Sequence, residues 1–291
     1  MVGEFPELQG TIGKYYAQHD GELPEVCTSL EEQYLPRFAG DRLPSTAAGR
    51  CVALADKLDL IAGIFSIGQK PSGTRDPYGL RRAALGVLRI ILEAGLELDL
   101  RSLIDKAIAL QPTQAAPGLA DEIWMYIAER FRSFVLETDS SITTEMFDAV
   151  LATTPRSLLD VQARLAALKS FLLLPESTAL ASANKRIANI LRKAAAEDAR
   201  SINGEHLVEP VERQLFEHLL LLEQQTAPAF ARRDYEQALT ALAALKDDVD
   251  RFFDGVMVMT EDARLRTNRL GLLATIRNLF LRAADLSKLP G

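Results

Sequence analysis

An adjacent His19-Asp20 pair, followed at a distance by Ala55-Asp56-Lys57-Leu58-Asp59, is the first group in this sequence whose residue types could do chemistry. Imidazole and carboxylate together can hold a divalent ion that activates water for attack on a phosphoester. That outline needs a further histidine upstream. His19 is the first of only three, and His206 and His218 lie far along the chain. At most three of the usual ligands are present, so no bound metal is expected. A metal-dependent phosphohydrolase using His19, Asp20 and Asp56 stands as the rival reading, and a structural helix-end pair as the plain one.

Gly63-Ile64-Phe65-Ser66-Ile67-Gly68-Gln69-Lys70 comes close to the spacing of a phosphate-binding P-loop, but Gln69 precedes the lysine and Pro71, Ser72 and Gly73 follow it. A P-loop lysine must open a helix whose first amides cradle phosphate, and this run cannot continue into one. No G-x-G-x-x-G, G-x-S-x-G or H-E-x-x-H occurs, and no nucleophile–base pair can be read. No catalytic residue is expected.

Charge is more informative. The 33 Lys+Arg against 40 Asp+Glu give a net charge of −7, which excludes a uniformly basic nucleic-acid binder. Locally the balance differs. Residues 69–89 hold five bases and one acid, 181–200 five and two, and 261–291 six and three, whereas 205–254 hold eleven acids and five bases. On a helix, Lys185, Arg186, Asn189, Arg192 and Lys193 recur at three- and four-residue steps as one polar stripe. Arg264, Asn268 and Arg269, with Arg266 between them, repeat the pattern near the end of the chain. Such stripes supply phosphate contacts, and Asn can read base edges; the alternative is a solvated helix face. Arg81 and Arg82, near Lys70 and Arg75, form a third basic group that alternatively caps or salt-bridges its own helix.

The elements that must carry these residues are helical. Ile123, Tyr126, Ile127, Phe131 and Phe134 share one stripe, with Asp121, Glu122, Glu129 and Arg130 opposite. Thr154-Pro155 reads as an N-cap and first helical position before Leu158, Val161, Leu165 and Leu168. Asp234 with Gln237 resembles a capping box before Leu239, Leu242, Leu245 and Val249. The same reasoning predicts helices near 24–35, 45–65, 80–94, 99–110, 185–200, 207–225 and 262–285. Val256–Met259 is the only plausible strand, and a helix end suits it better. The expected fold class is all-α. Breaks at 66–79, 111–118 and Leu174-Pro175 divide the chain into a block over 1–110, a helical connector over 111–175 and a bundle over 176–291.

With 48% apolar and 25% charged residues over a length of 291, neither a disordered chain nor a disulfide scaffold fits. Two cysteines, Cys27 and Cys51, suit a reducing compartment. No signal-like start and no apolar run near the ~20 residues of a membrane span can be read, so a cytoplasmic protein without a membrane partner is expected.

Longer runs are more specific than any of these patterns. MVGEFPELQGTIGKYYAQHDGE, YLPRFAGDRLPST, ALADKLDLIAGIFSIGQKPSGTRDPYGLRRAALGVLRIILE, SANKRIANILRK and FFDGVMVM…LRTNRLGLLATIRNLFLRAADLSKL follow one another from the first residue nearly to the last. Together they closely resemble the β subunits of bacterial heterotetrameric glycyl-tRNA synthetases, in the C-terminal portion of that longer subunit. The resemblance implies an HD-like helical domain, a connector, and an anticodon-binding domain similar to that of arginyl-tRNA synthetase. It implies glycine tRNA and the α subunit of an α2β2 enzyme as partners, and no DNA. ATP and Mg would serve the whole enzyme, with the class II active site on the α subunit and no cofactor in this portion. Carried over by residue, His19, Asp20 and Asp56 match a degenerate HD set. Lys185, Arg186, Asn189, Arg192, Lys193, Arg264, Arg266, Asn268 and Arg269 become the expected anticodon-arm contacts. Arg81 and Arg82 are expected toward the acceptor side.

Overall fold

A computed structural model describes residues 3–71, 75–194 and 202–290. The regular elements among them are helices, and the chain divides into two compact units, 1–138 with 156–159, and 139–155 with 160–291. The all-α reading holds.

The first unit contains α1 (Thr11–His19), α2 (Pro24–Glu32), α3 (Ala47–Ser66), α4 (Leu80–Glu93), α5 (Leu100–Ala109) and α6 (Leu119–Thr138). Its core combines Ile61, Ala84, Leu88, Ile90, Ile104 and Ile127 with the buried rings of Phe65, Trp124 and Phe131. Two polar contacts fix how the helices meet. The Glu32 carboxylate, buried at the end of α2, accepts from Ser45 N (2.8 Å) and Oγ (2.7 Å) and from Thr46 N (3.1 Å) and Oγ1 (2.5 Å). Thr46 Oγ1 in turn accepts from Gly49 N at 2.9 Å, capping α3. Burial opposes ionisation of Glu32, but the bonds from Thr46 and Ser45 outweigh it and hold its pKa below the usual value. Between α3 and α4 lies Lys57, whose chain packs so closely on Gly86 that a Cβ there would stand 2.6 Å from Lys57 Cε. A glycine inside a helix costs about 1 kcal/mol relative to Ala; here it makes room for a buried lysine.

The second unit contains α7 (Thr144–Leu151), α8 (Leu158–Phe171), α9 (Ser177–Lys193), α10 (Pro210–Ala231), α11 (Tyr235–Leu242), α12 (Lys246–Gly255) and α13 (Ala263–Leu281). Phe171, Ile187, Leu215, Phe252, Ile276 and Phe280 are among its buried side chains.

Several local expectations meet a different outcome. The segment expected as a connector is shared out: α6 packs on α3, α4 and α5, while α7 and, from Asp160 onward, α8 belong to the second unit. There Arg164 on α8 donates to Arg282 O (2.8 Å) and Ala283 O (2.9 Å) and stacks on Tyr235. The Tyr235 hydroxyl donates to Asp160 at 2.5 Å, and burial followed by that bond pushes its pKa up to about 12. Thr154 is not an N-cap. Its φ of 51° is left-handed and its N–H returns to Leu151 O, so it closes α7, and α8 starts only at Leu158. Asp234 does cap α11 by accepting from Gln237 N, but a 3₁₀ turn at Ala243–Leu245 separates α11 from α12 where one helix was expected. Of the helix expected over 185–200, α9 starts eight residues earlier, at Ser177, and positions 195–200 lie outside the described residues.

Candidate nucleic-acid interface

Helix α9 has two faces. Leu180, Ala181, Asn184 and Ile187 are buried, and the Asn184 side chain, enclosed with them, donates to Leu180 O at 2.9 Å. Lys185, Arg186, Asn189, Arg192 and Lys193 are all exposed. Packing of the apolar face therefore forces the basic stripe outward. Ser182, Lys185, Arg186, Asn189, Ile190 and Lys193 line an open hollow of about 370 Å³. The Arg186 guanidinium lies 4.0 Å from the ring centroid of Phe253 on α12, which holds its plane in place. Arg192 donates to Asn189 Oδ1 at 2.8 Å, leaving the amide donors of Asn189 directed elsewhere. Lys185 and Lys193 have no carboxylate partner among the described residues. The stripe presents exposed ammonium charges, one planar guanidinium on an aromatic ring and an amide, a set suited to phosphates and base edges.

The second stripe is not what its spacing suggested. Arg264 is exposed, with Asp262 Oδ2 at 3.5 Å. Arg266 donates to Thr260 O at 2.8 Å. Asn268 and Arg269 are buried, 2% and 7% exposed. Asn268 Oδ1 accepts from Asn203 N at 2.6 Å. Arg269 Nε donates to Glu212 Oε1 at 2.6 Å, and its Nη1 donates to Met257 O at 2.9 Å. Both residues are committed to internal bonds, so they are corrected from tRNA contacts to residues that build the domain. Glu212 is the partner that sequence reasoning missed. Its signal was the Glu209-Pro210-Val211-Glu212 run, a capping box that opens α10 with Glu212 folded back on Glu209 N at 2.9 Å.

In the first unit, the backbone N–H groups of Leu80 and Arg81 donate to the Asp76 carboxylate at 2.8 and 2.9 Å, which caps α4. Arg82 is exposed and lines a hollow of about 300 Å³ with Tyr34, Arg37, Asp56, Lys57 and Tyr78. Lys57 was also missed by sequence reasoning. It is 5% exposed, donates to Gln33 O at 3.3 Å, and burial lowers its pKa. Lys70 is engaged by Glu122 and lies near the Phe65 ring, bracing the loop to α6. His19 and Asp20 are exposed at the end of α1 and Asp56 is exposed on α3. No group of three His, Cys, Asp or Glu side chains that could hold a metal forms among the described residues, so these three do not assemble as one.

Comparison with known proteins bears on both units. Residues 1–152 match the family model described as glycyl-tRNA synthetase beta subunit. The chain belongs to that family. Residues 180–288, which include α9, match a second model, described as DALR anticodon binding domain. The chain is 48% identical over 290 residues to the glycine–tRNA ligase beta subunit of Hahella chejuensis. It is 47% identical over the same length to that of Mannheimia succiniciproducens and 48% to that of Pectobacterium atrosepticum. Each alignment covers 99% of this chain and 42% of the relative, so the chain spans about two fifths of the length of these family members. No helix of the described residues is long and apolar enough to cross a membrane.

Proposed function

We propose that this chain is a tRNA-recognition portion of a glycine–tRNA ligase beta subunit. It would hold the anticodon arm of glycine tRNA while an α2β2 enzyme attaches glycine at the expense of ATP. The reading rests chiefly on the outward basic stripe of α9, Lys185, Arg186, Asn189, Arg192 and Lys193, inside the segment similar to an anticodon-binding domain. Ammonium and guanidinium groups release counterions from phosphate and set register, and Arg186 and Asn189 meet bases splayed from a loop. A single-stranded loop is the physically accessible target, because the major groove of A-form RNA is too deep and narrow for side chains. Arg264, at the exposed start of α13, is assigned a further phosphate contact.

The exposed Arg82 and its neighbour Arg81 in the first unit are assigned a second contact toward the acceptor side. ATP and Mg belong to the complete enzyme, and no residue of this chain is assigned to either. The α subunit is the expected protein partner, and a cytoplasmic location suits the role. The test is charge reversal. Lys185→Glu with Arg186→Glu should weaken binding of glycine tRNA and flatten its salt dependence, since each lost phosphate contact lowers the slope of log K against log salt by roughly 0.7–0.9. Unchanged affinity at moderate salt would refute the assignment.

A further inference from the structure

Two long apolar side chains stand in water a few residues beyond Phe253, the ring that carries Arg186 of the basic stripe. Residues 256–259 alternate: Val256 and Val258 are 7% and 6% exposed, while Met257 and Met259 are 75% and 55% exposed. The segment forms no strand; it opens on the helix end that its sequence suggested, with Val256 as the C-cap of α12. Beyond Val256 it joins α12 to α13 and is tied down at both sides. Val256 N donates to Phe252 O at 2.9 Å, Arg269 Nη1 to Met257 O at 2.9 Å, and Arg266 Nη1 to Thr260 O at 2.8 Å. Arg269 is itself locked by Glu212, which is fully buried.

We propose that Met257 and Met259 form an apolar platform for an unstacked base of single-stranded RNA, next to the α9 stripe. This rests on the anticodon-arm reading above and deepens it. Met257 follows four residues after Phe253, the ring beneath Arg186, so at most about 14 Å of chain separates the methionine backbone from that of the ring. The division of labour is chemical. Cations bind the backbone whatever the sequence, and a polarisable thioether with its methyl group covers a base face. Arg269 and Arg266 are positioning residues that hold the platform in register.

The test uses the full chain and glycine tRNA carrying either its native anticodon or abasic nucleotides at those three positions, with Kd measured over a salt series. Met257→Ser with Met259→Ser should bind the native tRNA about 5- to 10-fold more weakly, the loss of roughly one stacked base. The salt slope should not change, and the abasic tRNA should bind the variant and the unaltered chain alike. Met257→Leu with Met259→Leu should restore most of the affinity. If the abasic tRNA weakens binding by the unaltered chain while the Ser variant matches that chain on native tRNA, the platform is wrong and base reading stands. If the Ser variant loses equally on both tRNAs, the methionines do not contact bases, and the platform is likewise wrong. If the unaltered chain binds native and abasic tRNA equally, or neither, the base reading fails and the platform fails with it.

Discussion

Replacing Glu212 with Ala should be among the most damaging single changes in the second unit. Its carboxylate is fully buried, accepts from Arg269 Nε at 2.6 Å, and caps α10 through Glu209 N at 2.9 Å. Truncation strands a guanidinium that is 7% exposed, which typically costs about 3–5 kcal/mol. In a domain of this size about 2–4 °C of Tm accompanies each kcal/mol, so the transition should fall by about 6–20 °C. The double variant Glu212→Met with Arg269→Met removes both charges. Burying matched apolar groups in place of an ion pair is often neutral or better, so much of the lost stability should return. The anchor to Met257 O does not return, so tRNA affinity should stay reduced in this refolded variant. Calorimetry and urea denaturation, with tRNA binding on the same samples, read both halves. A Tm loss below about 2 °C for Glu212→Ala would refute the claim that the pair is a buried structural charge. Full tRNA affinity in the double variant would refute the anchoring role of Arg269.

Other consequences are as direct. Gly86→Ala brings a Cβ to 2.6 Å from Lys57 Cε, so despite a helix-propensity gain of about 1 kcal/mol it should destabilise the first unit by about 1–2 kcal/mol net in urea denaturation; a more stable variant would show that Lys57 moves aside freely. Asp41 is held at about 2, first by its side-chain bond with Arg37, against burial, and then by backbone N–H groups. A depressed folded pKa contributes stability that is complete above the ordinary carboxylate value and is lost as pH falls toward 2, so Asp41→Asn should flatten the acid limb of stability between about pH 4 and 2. An acid limb identical to that of the unaltered chain would contradict this. His19→Ala removes an exposed side chain that joins no metal-binding group among the described residues, so the Tm should move by no more than about 1–2 °C and metal content should not change; loss of a stoichiometric bound transition metal on this substitution would revive the phosphohydrolase reading.

Helix faces were legible in the sequence wherever one side of a helix alone is packed. In α6, Ile123, Ile127 and Phe131 fall on one stripe and are buried together. In α9 the basic residues stand opposite Leu180 and Ile187, and periodicity alone distinguishes the faces. Helix α13 is different. Asn268, Arg269, Leu270, Gly271, Leu272 and Leu273 are buried in succession, so its middle is enclosed on every side and a polar stripe there is not a surface stripe. The partner that reveals this, Glu212, lies 57 residues away, beyond the reach of local spacing. Thr154 shows the same limit at short range. Ser/Thr-Pro suits a helix start, but the carbonyls left open at the end of α7 claim that residue first. The sites for Lys57 and Met257 depend on close packing and on a buried guanidinium, neither of which leaves a mark in local sequence.

The central claim is that the exposed face of α9 receives the anticodon arm. Chemical footprinting of glycine tRNA with this chain at increasing salt tests it most directly. Protection centred on the anticodon stem and loop, fading steeply as salt rises and abolished by Lys185→Glu with Arg186→Glu, is the predicted result. Protection confined to the acceptor arm, or an anticodon footprint that survives the charge reversal, would contradict it.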